Sequence, residues 1–210
     1  MKARFIGWGM QWIAAGYCRD NIPEMDLKGS RKSIMKEYRS MIERTPSIGK
    51  SSNLINLIGA CYLFSLAKVV PGMTPEMLDR VIQGSVRSDV MVRLHRGQRR
   101  KGTMFTDRVQ DRRAKEAEAS HASPYEFDWE YDYIKGDGEF YCTYTKCGIC
   151  RLAEKEGLTE YVPTLCRMDY PSYEIAGARL IRTKTLGNGD GCCDFHVVRE
   201  SPGDGKERTV

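Results

Sequence analysis

The sequence predicts an α+β fold, in which an N-terminal helical layer is followed by an antiparallel sheet of about four strands with inserted helices. Two patterns support this prediction. Apolar residues in the first half recur at helical spacing, whereas from residue 125 the hydrophobic period changes to two. Glycine-rich turns at 136–138 and 187–191 each separate two extended segments, which predicts two hairpins. Helices followed by strands are typical of the α+β class.

The apolar pattern also predicts where the first helices lie. Gln11 interrupts the N-terminal apolar run, so this segment is expected to be an amphipathic helix rather than a signal peptide. The Thr74-Pro75-Glu76 sequence supplies a capping hydroxyl, a proline for the first turn and an acidic residue, which predicts a helix start. The basic run at 93–101 has no interleaved aromatic residues, and we expect a solvated turn there. Further helices are predicted at 30–44, 51–70, 74–94 and 106–119.

The second half begins with the clearest strand signal in the chain. Aromatic residues at odd positions from Tyr125 to Tyr133 alternate with acidic residues, which predicts a strand with one aromatic and one acidic face. The remaining strands are predicted at 139–145, 179–186 and 192–199, and the inserted helices at 150–156 and 163–176.

Length and composition indicate an ordinary globular protein. The chain has 210 residues, of which 41% are hydrophobic and 29% charged, and this excludes collagen-like and wholly disordered chains. We predict a single α+β domain over 1–200, with a helical half at 1–122 and a sheet half at 123–200. Residues 201–210 are predicted to form a flexible tail.

Charge and cysteine placement limit the classes of partner and the compartment. The net charge of +5, from 33 basic and 28 acidic residues, is too small to indicate nucleic-acid binding. No stretch of about eighteen apolar residues is present, so no membrane partner is predicted. Six of the eight cysteines lie within 142–193, unlike the spread of a disulfide scaffold. We therefore expect a cytoplasmic protein with reduced thiols and a small-molecule partner.

Four elements rich in cysteine and aspartate are candidates for chemistry, and their thiols have several alternative uses. A metal site would use Cys147, Cys150, Cys166 and one of the cysteines at 192 and 193, because thiolates bind zinc and iron–sulfur clusters. A redox dithiol would need only Cys147 and Cys150, and the first of these begins a predicted helix, whose dipole favours a thiolate. The alternative for any single thiol is a structural role as a small buried hydrophobe. The four elements are 147–150, 166–169, 180–186 and 189–195.

Nucleophilic catalysis is the remaining alternative, and the same elements contain its parts. It needs a thiolate, a proton shuttle and an anchor for the substrate. The carboxylates of Asp169, Asp190 and Asp194 are available as shuttles. Arg182 is available to hold a substrate carboxylate through two parallel hydrogen bonds.

These residues resemble a known family. Cys150, the Cys166-Arg167-Met168-Asp169 sequence, the Arg182-Thr183-Lys184-Thr185-Leu186 sequence, Gly189-Asp190 and Cys193-Asp194-Phe195 are similar to motifs of the L-2-amino-thiazoline-4-carboxylic acid hydrolase family. The resemblance covers about residues 140–198. It implies hydrolytic opening of a cyclic amidine to N-carbamoyl-L-cysteine, as part of cysteine metabolism, with no metal and no cofactor.

The resemblance also implies the site residues and their roles. A cysteine thiolate would attack the ring carbon, or a carboxylate would activate water, and an aspartate would protonate the leaving atom. The predicted catalytic residues are Cys166, Asp169, Cys193 and Asp194. The predicted substrate-binding residues are Cys150, Arg182, Thr183, Thr185 and Asp190.

Strand geometry places one restriction on this assignment. On a regular strand Cys193 and Asp194 point to opposite faces, so both reach one pocket only if the backbone bulges. Two other functions remain open. One is a cysteine-rich module that binds a small ligand or a metal, and the other is a family relative that acts on another cysteine-derived compound.

Overall fold

Nine α-helices and four strands form the part of the chain described here, residues 2–200 of a computed structural model. This confirms the α+β class and the helical layer that precedes the sheet. The predicted tail at 201–210 lies outside the described residues. The helices of the first half are α1 (Lys2–Asn21), α2 (Arg31–Arg44), α3 (Leu54–Val69), α4 (Pro75–Val86), α5 (Asp89–Lys101) and α6 (Asp107–Ser120).

The second half contains the sheet and three helices between its hairpins. All neighbouring strands are antiparallel, in the order β1-β2-β4-β3. The two predicted hairpins are thus present, joined side by side through β2 and β4. The elements are β1 (Glu130–Lys135), β2 (Glu139–Lys146), α7 (Gly148–Glu156), α8 (Val162–Arg167), α9 (Asp169–Ile175), β3 (Ala178–Ile181) and β4 (Cys193–Arg199).

Helix α3 is the centre of the main hydrophobic core, as its nearly continuous apolar sequence requires. Tyr62 on this helix packs edge-on against Tyr38 of α2, with ring centroids 6.1 Å apart. The same core continues to Trp129 and Tyr131 of the sheet half. The two halves therefore share one body of buried apolar side chains.

A cluster of charges ties α2, α3 and α7 together at the edge of this core. Glu156 accepts hydrogen bonds from Arg44, whose Nε lies 2.7 Å from Oε1, and it also pairs with Lys68. Its side chain is only 4% exposed. The hydrogen bond from Arg44 is the main reason that the pKa of Glu156 falls to about 2, against the opposing effect of burial.

Two predicted boundaries of the helical half are wrong. The predicted helix at 74–94 is two helices, because Ser88 is extended and its hydroxyl bonds back to the carbonyl oxygen of Ser85 at 2.7 Å. The start at Thr74 is confirmed, since its side chain accepts from the backbone N–H of Met77. The basic run at 93–101 is not a turn but the end of α5, which has no buried residue and ends at Gly102 with φ of 56°.

The first strand also begins later than predicted, at Glu130 instead of Tyr125. The buried carboxylate of Asp128 accepts hydrogen bonds from the hydroxyls of Ser51 and Ser123 and from its neighbouring backbone N–H of Trp129. These bonds hold the preceding residues in a turn, so the aromatic alternation extends beyond the strand itself.

Local side-chain chemistry also shortens two predicted elements near the site. The predicted helix at 163–176 breaks at Met168, because Pro171 has no N–H to donate to the carbonyl of Arg167. That carbonyl instead accepts from the side chain of Gln83. Strand β3 ends at Ile181 and not at residue 186, since the following backbone N–H groups bind the Asp194 carboxylate.

Strand register divides the sheet into two distinct faces. Tyr131 pairs with Tyr144, which pairs in turn with Cys193, so these three side chains lie on one face together with Phe195. This face is turned towards the helices. The other face contains Asp194 and is more exposed. Among the described residues, no helix combines the length and apolarity needed to cross a bilayer.

Candidate functional site

A cavity of about 640 Å³ is bordered by the inner face of the sheet and by helices α3, α5, α6, α7, α8 and α9. Its volume falls within the range of small-molecule sites. Aromatic rings from the sheet form much of its wall, and ionisable groups are concentrated on the helices and at the end of β3. The ionisable side chains that line it include His95, Arg112, Arg113, Glu116, Asp169 and Arg182.

Asp169 and Arg182 form an ion pair at one end of this cavity. Nη1 of Arg182 donates to Oδ2 of Asp169 at 2.7 Å, and Nη2 donates to the carbonyl oxygen of Cys166 at 2.9 Å. The rings of Tyr170 and Phe195 lie about 5 Å from the guanidinium carbon, at 5.0 and 4.9 Å. The Arg182 side chain is 3% exposed, whereas 35% of the Asp169 side chain remains accessible to a molecule in the cavity.

The environment of Asp169 changes its acidity. Desolvation by the surrounding protein raises the pKa of this carboxyl to about 6, while the charge and hydrogen bond of Arg182 act in the opposite direction. A carboxyl with this pKa can both accept and release a proton near neutral pH. Within residues 2–200, Nε of Arg182 is buried without a hydrogen-bond partner. The Nε–H group of Arg182 is therefore an unused hydrogen-bond donor next to the Asp169 carboxylate.

Three thiols lie beside this ion pair, from Cys147, Cys166 and Cys193. Burial raises the pKa of Cys166 to about 12 and that of Cys193 to about 11. Contact with the Cys150 thiol, together with burial, raises the pKa of Cys147 well above its usual value. The helix dipole of α7 was expected to lower the pKa of the thiol at its start, but burial has the larger effect. These thiols are therefore protonated near neutral pH.

The segment between β3 and β4 is held by hydrogen bonds from its own polar side chains. Asp194 accepts from the backbone N–H of Thr183 at 2.9 Å, from the Thr183 hydroxyl at 2.6 Å and from the backbone N–H of Lys184. Asp190 accepts from the backbone N–H of Thr185, whose own hydroxyl accepts from the backbone of Asn188.

This segment lies close to the thiols. Cys193 Sγ accepts from the backbone N–H of Leu186 at 3.2 Å. A Cβ atom at Gly187 would lie 2.7 Å from a methyl carbon of Val162 and 2.9 Å from Cys166 Sγ, so only glycine fits against α8. The polar bonds therefore fix the position of Cys193, which lines the cavity.

At another part of the wall, α6 contributes Arg113. Its guanidinium carbon lies 5.1 Å from the ring centroid of Phe140. The ionisable groups that act on it most are Tyr173, Tyr133, Tyr144 and Cys142. In the part of the chain that the structure describes, Arg113 forms no ion pair.

Comparison with known protein families gives one match. The family model described as L-2-amino-thiazoline-4-carboxylic acid hydrolase matches residues 60–197, which is well over half of the chain and includes all the ionisable side chains named above.

The chain belongs to the L-2-amino-thiazoline-4-carboxylic acid hydrolase family.

No curated protein and no solved structure shows a significant match to it. The family match begins inside α3 and ends in β4, so it covers most of the cavity lining but not α1 and α2.

In this hydrolase-family chain, the residues predicted from sequence separate into two groups. Cys166, Asp169, Arg182 and Cys193 line the cavity together. The other predicted residues are not among those that line it. Of these, Asp194 lies on the opposite face of β4, as strand geometry requires in the absence of a bulge there. Thr183, Thr185 and Asp190 hold the loop between β3 and β4, and Cys150 packs at the start of α7 against the main core.

Arg113 is one of the ionisable groups of the cavity that are absent from the predicted site, together with His95, Arg112 and Glu116. The many charges of the predicted helix at 106–119 obscure its buried face. A signal was nevertheless present, since Gln110, Ala117 and Ser120 are buried and Arg113 shares their spacing of three and four residues. This spacing places Arg113 on the inner face of α6.

If the thiols bound a metal ion, several ligand side chains would have to lie close together. Among the described residues, no group of three or more His, Cys, Asp or Glu side chains is arranged to hold a metal ion.

Proposed function

We propose that the protein hydrolyses a cyclic amidine carboxylate such as L-2-amino-thiazoline-4-carboxylate, and that Asp169 is its general base and acid. Family membership supports the hydrolase class. The observation that carries the mechanism is the accessible Asp169 carboxylate in the cavity, paired with Arg182 and with a pKa of about 6. A group of this pKa is suited to proton transfer at neutral pH.

The proposed reaction adds one water to the ring. The water oxygen forms a bond to the carbon between sulfur and nitrogen, and the double bond from this carbon to the ring nitrogen becomes a single bond. The proton of the water passes through Asp169 to that nitrogen. In the second step the new hydroxyl gives its proton to Asp169 and becomes a carbonyl, while the carbon–sulfur bond breaks with its electron pair on sulfur. Asp169 then protonates the sulfur, and N-carbamoyl-L-cysteine is formed.

Water activation by a carboxylate is favoured over attack by a thiolate. Near neutral pH only a very small fraction of Cys166 or Cys193 is ionised, because their pKa values are about 12 and 11. Asp169 is largely ionised in the same range. In this proposal the two thiols shape the end of the cavity, and neither forms a covalent intermediate.

The remaining predicted residues act by positioning. Arg182 is committed to Asp169 and to the Cys166 carbonyl, so it holds the base in place and stabilises its ionised form. Asp194, Thr183, Thr185 and Asp190 hold the loop that carries Cys193. Cys150 supports the start of α7 beside Cys147.

Incubation of the purified protein with L-2-amino-thiazoline-4-carboxylate tests the proposal. Mass spectrometry should detect a product heavier by one water, and a thiol reagent should detect one new thiol per molecule of product. Asp169→Asn should abolish both signals, whereas Asp132→Asn, on the exposed face of β1, should leave them unchanged. Failure of the unmodified protein to add water to this compound would refute the reaction.

A further inference from the structure

The charges that line the cavity leave one guanidinium unmatched. The two lining carboxylates each have a cation of their own. Glu116 pairs with Arg112 at 3.7 Å, and Asp169 pairs with Arg182 at 2.7 Å. Arg113 lines the same cavity, yet it has no carboxylate within 4.0 Å in residues 2–200. Arginine remains charged at any physiological pH.

The neighbours of Arg113 do not compensate this charge. Tyr133, Tyr144, Tyr173 and Cys142 surround the guanidinium, and all four are neutral near pH 7 because burial raises their pKa values. The ring of Phe140 offers only the weak attraction of an aromatic face. A largely buried cation without a counter-charge is unfavourable, and it attracts an anion from solution.

The surrounding hydroxyls add hydrogen-bonding capacity. Tyr144 and Tyr173 both line the cavity. The Tyr144 hydroxyl interacts with the Cys142 thiol, whereas the Tyr173 hydroxyl has no hydrogen-bond partner within the described chain. The Tyr173 ring lies 6.4 Å from the Phe140 ring, on which Arg113 packs, and 6.4 Å from the Phe195 ring, on which Arg182 packs. Tyr173 therefore lies between Arg113 and the ion pair that contains the proposed base. An anion held by Arg113 would thus be located next to the reacting end of the cavity.

From this arrangement we propose that Arg113 is a substrate-binding residue, which receives the carboxylate of the substrate with help from the hydroxyls of Tyr144 and Tyr173. The identity of the substrate rests on the proposed function, whereas the preference for a monoanionic carboxylate follows from the unmatched charge. Arg182, whose Nη atoms are already occupied by Asp169 and Cys166, is left to position the base.

Two ligands and one matched control variant test this assignment. The ligands are L-2-amino-thiazoline-4-carboxylate and 2-amino-2-thiazoline, which has the same ring without the carboxylate. Binding is measured by calorimetry in the Asp169→Asn background, which prevents turnover. Arg113→Met removes the charge and keeps much of the side-chain volume. Arg108→Met removes the same charge from an exposed position of the same helix.

Arg113→Met should weaken binding of the carboxylate ligand roughly 10- to 100-fold, the range for hydrogen bonds to charged groups, and should not change binding of the second ligand. Arg108→Met should change neither. Arg113→Lys, which keeps a charge and the aliphatic stem, should retain part of the affinity and serves as the second variant if Arg113→Met does not fold. Equal weakening of both ligands, or of neither, overturns the assignment, as does equal binding of both ligands with Arg113 present.

The outcome also separates this inference from the proposed reaction. Carboxylate binding that depends on Arg113, without addition of water by the unmodified protein, would support the binding role and refute the reaction. Turnover that persists undiminished in Arg113→Met would support the reaction and refute the binding role. Absence of any binding of the thiazoline carboxylate overturns the binding role.

Discussion

Arg182, the first residue after β3, donates to the carboxylate of Asp169, the first residue of α9, at 2.7 Å. The Arg182 side chain is almost completely buried. This bond links the segment that follows β3 to the first turn of α9. It also links acidity to geometry, because the cation that orients the carboxylate is the one that limits the rise of its pKa. Several predictions about activity depend on this pair.

Replacement of the carboxylate should remove catalysis without unfolding the protein. Asp169→Asn keeps the size of the side chain and one acceptor for Arg182, but it cannot take a proton. We expect kcat to fall roughly 10²- to 10⁴-fold, the usual contribution of general acid–base catalysis. Steady-state kinetics, with circular dichroism as a check on folding, measure the effect. Activity within threefold of wild type would contradict the role of Asp169.

Activity should depend on pH through the same group. Asp169 must be ionised to accept the proton of water, so kcat/KM should fall as the pH decreases through about 6. Because Arg182 favours the ionised form, Arg182→Met should raise the pKa of Asp169 and move this acid limb to higher pH. Measurement of kcat/KM between pH 4.5 and 9 for the wild type and for Arg182→Met tests both expectations. An acid limb that does not move in the variant would show that another group controls it.

The buried thiols should be dispensable for the chemical step. Cys166→Ala and Cys193→Ala should each retain kcat within about tenfold of the wild type, since neither thiol is ionised near neutral pH. Alkylation by iodoacetamide at pH 7.5 should be slow at both positions. Rapid alkylation of one of them, together with a loss of activity above 100-fold in its alanine variant, would instead indicate a thiolate nucleophile.

The carboxylate of Asp194 should contribute to stability more than to chemistry. Asp194→Asn weakens charge-assisted bonds to Thr183 and Lys184, so we expect the free energy of unfolding to decrease by about 1–2 kcal/mol. Denaturant titration measures this change, and Asp132→Asn on the same exposed face is the control. Well below the unfolding transition kcat should stay within about threefold, whereas a catalytic role requires a loss of roughly 10²-fold or more.

Glu156 provides a test of the contact between α7 and the helical half, at a residue that does not line the cavity. Glu156→Gln should lower the free energy of unfolding by about 2 kcal/mol at pH 7, because Arg44 and Lys68 lose a common partner. The folded pKa of about 2 lies below the ordinary 4.5, so the stabilisation is present above pH 4.5 and disappears as the pH falls towards 2. Denaturant titrations at several pH values should show the two proteins converging in acid. Glu154→Gln, at an exposed pair, should have little effect.

The sequence is sufficient to predict the elements whose signals are local. The hairpin at 136–138 and the capped start at Thr74 follow from turn glycines and from a capping hydroxyl, and both are present. The breaks at Ser88 and Met168 were missed. A serine side chain that bonds to a backbone carbonyl three residues earlier, or a proline within the segment, interrupts a helix without interrupting its apolar pattern.

The site was predictable only where the residues themselves carry a family pattern. Asp169, Arg182, Cys166 and Cys193 were selected on this basis, and the fold brings them to one cavity. The family pattern does not distinguish residues that line the cavity from those that stabilise the loop between β3 and β4. The difference depends on which face of the strand a side chain points to. Arg113 lies on a separate helix, and its burial becomes apparent only when α6 packs on the sheet.

The face of the sheet that borders the cavity has a consequence for how such a protein changes over evolutionary time. The side chains of Tyr133 and Tyr144 point into the cavity, while the strands beneath them are held by backbone hydrogen bonds and the main core lies around α3. Exchange of these aromatic side chains alters the volume and polarity offered to a ligand and leaves that backbone scaffold intact. Substitutions at these positions can therefore change the substrate that a family member binds while its fold is retained.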